Sequence, residues 1–223
     1  MNLLRTAVFT AATAFALSAC EDASKKQPAA VVGSAAPAAA PVAAKNAETL
    51  PFSNETSKIG FVGSKVTGSH EGAFTKFRGT VRLADNKPEA SSVEVDIDTD
   101  SLKIEPEKLQ NHMKSPDFFD TAKFPKATFK STEIKPGGAN GATHTVTGNL
   151  NLHGKEKSIS FPATLAMSGT EASAKAEFSI NRKDFDIVYP GAPNDLIREG
   201  VVIKLDLHAP RSNVPAKDTP RPN

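Results

Sequence analysis

The side chains in this chain that could do chemistry are bounded by their types and spacing. Asp96, Asp98 and Asp100 stand opposite Val93, Val95 and Ile97 in an alternating run. Paired carboxylates can move protons or hold Ca²⁺. Acidic residues on the polar side of a half-buried strand are also the default in antiparallel sheets, and they are read here as a solvated face. The five histidines are His70, His112, His144, His153 and His208, and no two stand at H-x₃₋₅-H metal-ligand spacing. Ser64 and Ser69 have no catalytic partner identifiable from the sequence. No nucleophile elbow, P-loop or dinucleotide fingerprint is present. The expectation is no catalytic residue, no metal and no cofactor, hence no enzyme.

Charge narrows the partners. Lys plus Arg number 27 against 25 Asp plus Glu, a formal net of +2 in 223 residues. A nucleic-acid footprint needs a marked basic excess on one face, so no nucleic-acid partner is expected.

Cys20, the only cysteine, closes an uncharged stretch that runs from Thr6 to Ala19 after Arg5. As a helix that stretch spans roughly 21 Å, short of the roughly 30 Å hydrocarbon core of a bilayer. It suits the core of an export signal. Leu17-Ser18-Ala19-Cys20 resembles a bacterial lipobox, which implies a lipoprotein signal peptide over 1–19 and acylation of Cys20. The expected location is the periplasmic face of the bacterial envelope, held to a membrane through that lipid. From the acylated Cys20 to residue 53 the chain reads as an Ala/Pro-rich disordered tether, interrupted by Pro28, Pro37 and Pro41. Residues 210–223, with Pro210, Pro215, Pro220 and Pro222, read as a second disordered tail.

Between these tails, residues 54–209 repeat with period two, the mark of half-buried strands. Val93, Val95 and Ile97 alternate with acids. Ala174, Ala176, Phe178 and Ile180 alternate with Lys175, Glu177 and Ser179, and Val201, Ile203, Leu205 and Leu207 with Lys204, Asp206 and His208. Ile159, Phe161 and Leu165 share one parity. Further candidates are 58–66, 73–83, 127–134 and 143–152, which makes eight strands. Pro136–Gly141, His153-Gly154 and Ser168-Gly169 supply turns. One short helix is expected over Glu105–Ser115, where Leu109 and Met113 form an i, i+4 apolar pair. The class is all-β, and periodicity leaves a sandwich and a barrel equally open. Strand parity turns Phe61, Val95, Ile97, Phe129, Phe161, Phe178, Ile180 and Ile203 inward.

After the helix comes His112-Met113-Lys114-Ser115-Pro116-Asp117-Phe118-Phe119-Asp120, followed by Phe124-Pro125. Phe118 or Phe119 can plug one end of the sheet structure while the acids face water. The same pair could instead gate an internal cavity.

Several strings resemble the YceI-like family of polyisoprenoid-binding proteins. They are Gly72-Ala73-Phe74-Thr75-Lys76-Phe77-Arg78-Gly79, Ser92–Asp98 with Ser101-Leu102, His112–Asp120 with Phe124–Phe129, Val146–Gly154 and Ile180–Phe185. The resemblance implies an eight-stranded antiparallel lipocalin-like barrel holding a long isoprenoid, of quinone or polyprenyl type, as ligand. It makes the eight inward residues the cavity wall and His112, Asp117, Phe118, Phe119, Arg182 and Asp184 candidates for its mouth. The alternative is a structural or stress-response envelope protein with a filled barrel. The first strand, Ser57–Lys65, and the loop Tyr189–Asp195 depart from the family pattern, and both departures bear on the cavity mouth.

Overall fold

The computed structural model describes residues 22–37 and 47–211. Strand β1 is Val31–Ser34, β2 Glu48–Ser53, β3 Lys58–Lys65, β4 Gly68–Phe74 and β5 Phe77–Ala84. Then come β6 Lys87–Asp98, β7 Leu102–Ile104 and α1 Glu107–Lys114, the one α-helix among the described residues. The rest are β8 Lys126–Pro136, β9 His144–Leu152, β10 Lys155–Met167, β11 Glu171–Asn181, β12 Gly191–Ala192 and β13 Asp195–Pro210. The main path through the sheet is β2-β5-β6-β8-β9-β10-β11-β13-β3-β4-β7, with β1 added to β10 and β12 to β13. All of these pairings are antiparallel.

Among the described residues thirteen strands replace the eight expected, and the sheet curls into a half-barrel whose path ends, β2 and β7, are not hydrogen-bonded to each other. The expected strand 73–83 is two strands. Phe74 and Phe77 are three residues apart, so the alternation breaks at Thr75-Lys76. Ser101 holds that corner, its carbonyl accepting from the Thr75 hydroxyl at 2.9 Å and its Oγ from the Lys76 N–H at 3.0 Å. The corner carries the chain from β4, beside one end of the path, to β5, beside the other. The remaining extra strands are β1, β2, β7 and β12; β1, β7 and β12 are too short to display a period, and β2 alternates only over Thr49–Phe52, a run that Pro51 interrupts.

The body also begins earlier than residue 54. Leu50 and Phe52 of β2 are buried, and Phe52 lies over Gly79 of β5 so closely that a Cβ there would overlap the ring. The C-terminal boundary moves to Arg211, whose N–H donates to the Thr170 carbonyl at 2.9 Å. Residues 22–37 are not a free tether, because Ala23–Lys26 form a 3₁₀ turn and β1 joins the sheet. Residues 1–21, with Cys20, as well as 38–46 and 212–223, lie outside the described residues.

Turn chemistry sets several links. His153 and Gly154 both take positive φ (52° and 73°) between β9 and β10, and Asp85-Asn86 do so between β5 and β6 (52° and 56°). That conformation matches the right-handed twist of the flanking strands.

Candidate ligand cavity

The inner face of the curl encloses a cavity of about 650 Å³, within the size range of small-ligand sites. Period-two alternation builds its wall, because each strand sends every second side chain inward. All eight inward residues expected from parity, Phe61, Val95, Ile97, Phe129, Phe161, Phe178, Ile180 and Ile203, line it. Phe161 stacks on Phe178 with centroids 4.1 Å apart and planes 11° apart, and Phe129 lies 5.8 Å from Phe161. The chain's aromatic content is almost all Phe, which needs no polar partner when buried.

At one end the wall is capped by α1 and the segment after it. Leu109 and Met113, the i, i+4 pair, pack inward against the cluster of Phe61, Leu102 and Ile104. Phe119 lies 5.7 Å from Phe74 and 6.2 Å from Phe61. Phe118 is buried and touches the rings of His112 and Tyr189, at 5.0 and 5.3 Å. The His112 Nε2 and Asp117 Oδ2 are 2.7 Å apart. Thus His112, Phe118, Phe119 and Arg182 border the cavity, whereas Asp117 and Asp184 do not. Asp117 is turned toward water by its bond to His112. Arg182 and Asp184 share a 3₁₀ turn, Arg182–Phe185, and point apart, Arg182 to the large cavity and Asp184 to a small cleft beside Ala29 and Gly200.

Arg182 is only 4% exposed, and its guanidinium is spent on backbone. It donates to the carbonyls of Arg198 (3.1 Å), Ile187 (2.5 Å) and Ile197 (3.4 Å). Burial pushes its pKa down from the usual arginine value, opposed by the charge of Glu199. Those carbonyls belong to the β13 bulge between Ile197 and Val201 and to the loop before it, so Arg182 shapes the mouth. The two departures noted in the sequence meet there, since Lys65 ends β3, Asp195 begins β13 and the two form an ion pair. The Lys65 hydrogen bond holds the Asp195 carboxyl below its usual range against partial desolvation, helped by the Thr67 hydroxyl and N–H.

Among the described residues the titratable side chains lining the cavity are Lys65, His70, Lys108, His112, Arg182 and Arg198, with no Asp or Glu. Arg198 Nε is buried without a hydrogen-bond partner. Parity reasoning missed Lys65, His70, Lys108 and Arg198. Lys65 and His70 flank the β3–β4 turn, and Arg198 sits in a bulge, which no period announces. Among the described residues no His, Cys, Asp and Glu side chains are grouped as metal ligands would be.

The fold and its cavity define a curled antiparallel β-container around an apolar chamber. The chain belongs to the YceI-like domain family, whose profile matches residues 51–209. It is 38% identical over 141 residues to a UPF0312 protein of Pseudomonas putida strain W619, covering 58% of this chain and 72% of the relative. A UPF0312 protein of Yersinia pestis strain Pestoides F is 34% identical over 145 residues, covering 60% and 74%. Among solved structures, Burkholderia cenocepacia BcnA superposes with a TM-score of 0.63 at 28% identity, over 71% of this chain and 99% of that one. A polyisoprenoid binding domain from Saccharophagus degradans, implicated in plant cell wall breakdown, gives 0.58 at 17%, over 74% and 99%, a likeness of fold alone.

Proposed function

We propose that this chain binds a long isoprenoid lipid inside the half-barrel and carries it within the bacterial envelope, tethered by an acyl group on Cys20. The observation that carries the reading is the cavity itself. It is an apolar, Phe-rich chamber whose charged lining is entirely basic, and a filled barrel has no such volume. An apolar tail fits the chamber, and a head group rich in oxygen acceptors fits Arg198 and its neighbours. Membership of the YceI-like family and the Saccharophagus neighbour's description as a polyisoprenoid binding domain support the ligand class.

The experiment is extraction of a fluorescent polyprenyl phosphate from phosphatidylcholine vesicles by the Cys20→Ser protein. Gly63 supplies the control. It is paired with Val201 and His70, both of which line the cavity, and nothing lies within 4 Å of where its Cβ would stand. Gly63→Leu therefore puts a branched side chain into the chamber with no clash at its Cβ. Its melting temperature should stay within a few degrees of the parent while lipid capacity falls severalfold. Full capacity in that variant would sink the cavity reading.

The anchor has its own test. One acyl chain holds a protein only marginally to a bilayer, and a lipoprotein carries more than one. Cys20→Ser should either move the protein from the membrane to the soluble envelope fraction or leave its signal uncleaved, read by fractionation and by the mass of the chain. Unchanged membrane association together with normal cleavage would remove the anchor from the proposal.

A further inference from the structure

β10 and β11 pair only from Thr164↔Lys175 to Met167↔Ala172. Beyond that short ladder the two strands part. Phe161 and Phe178, stacked on each other, stand at the fork, and Pro162, which has no N–H to give, is beside them. The gap is filled by Asp22–Pro37, which lies outside the residues matched by the family profile.

The strap takes both open edges. β1 pairs antiparallel with β10 from Val31↔Ser160 to Ser34↔Lys157. On the other side the Ala30 N–H donates to the Ser179 carbonyl at 2.8 Å, and the Ser179 N–H donates to the Pro28 carbonyl at 2.9 Å. Ala30 and Val32 face inward against the cluster containing Ile159, Phe161, Phe178 and Ile180, four residues that also line the cavity. The far end is clamped by Asn149, whose amide donates to the Ala36 carbonyl at 2.7 Å and accepts from its N–H at 3.1 Å.

This attachment is slight compared with its surroundings. β11 and β13 are paired continuously from Glu171↔Pro210 to Asn181↔Gly200, whereas β1 contributes a short ladder of small residues with Val31 73% exposed. A strand with few buried apolar contacts opens before the core around it does. Removing it leaves a slot in the wall directly over the Phe161–Phe178 end of the chamber.

We propose that Asp22–Pro37 is a detachable wall strand that closes the fork between β10 and β11 and gates lateral passage of the lipid chain between cavity and bilayer. The proposal rests on the lipid-binding reading above. The strap begins two residues after Cys20, so an acyl group there would hold the slot near the membrane surface. Only the apolar tail needs to cross the wall, and it crosses as a linear chain, for which a slot is a better opening than an end.

The test locks the strap. Gly33 and Ser158 are cross-strand partners, Gly33 is exposed, and nothing lies within 4 Å of its Cβ position. In the Cys20→Ser chain, Gly33→Cys with Ser158→Cys leaves one pair of thiols to couple across adjacent strands. Exchange of a fluorescent polyprenyl phosphate with phosphatidylcholine vesicles is followed in the oxidised and reduced forms, with bound lipid at plateau read by mass spectrometry. The expected result is exchange at least about tenfold slower when oxidised, restored by reductant, with the same plateau; Asn149→Ala, which loses the clamp, should exchange severalfold faster than the parent. Equal rates in both redox forms with lipid bound would overturn the gate and leave the binding reading intact. No lipid at plateau in either form would overturn both. Thiols that fail to couple under oxidation would mean that the strap is not docked on β10, which also overturns the gate.

Discussion

Two arginines at the mouth illustrate how one side-chain type serves two purposes. Arg182 gives its donors to the carbonyls of Arg198, Ile187 and Ile197, whereas the Nε of Arg198 is buried with no partner. Truncating a donor that satisfies buried carbonyls costs their desolvation, whereas removing an unpaired donor removes a penalty. Arg182→Met is therefore expected to lose about 3 kcal/mol of stability by urea denaturation, enough to matter in a marginally stable domain. Arg198→Met should hold the apo protein's stability within about 0.5 kcal/mol or raise it. With a phosphate-bearing polyprenyl ligand the same variant should lose about tenfold in retention, the equivalent of one charge-assisted hydrogen bond. Loss of apo stability together with unchanged retention in Arg198→Met would assign that arginine to the scaffold.

The β3–β4 hairpin is joined to the start of β13 by the Lys65–Asp195 pair and the Thr67 bonds. The Asp195 carboxyl lies below its ordinary value of 3.8, chiefly through the Lys65 hydrogen bond. A lowered folded-state pKa contributes stability that is present above the unfolded value and lost as pH falls through the folded one. The melting-temperature advantage of the parent over Asp195→Asn should thus be full near neutral pH and shrink in acid, below the ordinary carboxylate range. A gap that widens on acidification would be the wrong sign and would detach this pair from the hairpin's stability. At this scale the sequence was legible where period two was unbroken. Val93–Ile97, Ala174–Ile180 and Val201–Leu207 fell into strands with their apolar parity inward. It was illegible where geometry breaks the period. The Thr75-Lys76 corner depends on Ser101, distant in sequence, and the Arg198 bulge depends on Arg182. β1 looked like tether because its Val-Val-Gly-Ser carries no alternation. Its strand state comes from the open edges of β10 and β11, a tertiary cause. Asp117 and Asp184 stand outside the cavity lining for a similar reason, since a motif places a residue near a site without fixing which way its side chain turns.

For the whole molecule the relevant balance is between chamber and membrane. Moving an isoprenoid of on the order of 40 carbons from water to an apolar site is worth roughly 30 kcal/mol at about 0.8 kcal/mol per methylene. Non-covalent affinity saturates near 20 kcal/mol, so water is the wrong reference state for such a ligand. A bilayer solvates the same chain as well as Phe129, Phe161 and Phe178 do, and transfer between the two should be close to neutral. Under the proposed function, the head group at the basic mouth then sets the small residual preference, and the proposed wall strand sets the rate. This balance predicts partition instead of capture. When the loaded Cys20→Ser protein is titrated with empty phosphatidylcholine vesicles, bound polyprenyl phosphate should decline smoothly with added phospholipid and return when vesicles are removed. The midpoint should move to less phospholipid in Arg198→Met, because the mouth contributes less. Lipid that stays bound against a large excess of vesicles, over times long enough for the reduced Gly33→Cys, Ser158→Cys protein to exchange fully, would mean that the chamber binds its ligand far better than a bilayer does. The molecule would then be a store and not a carrier.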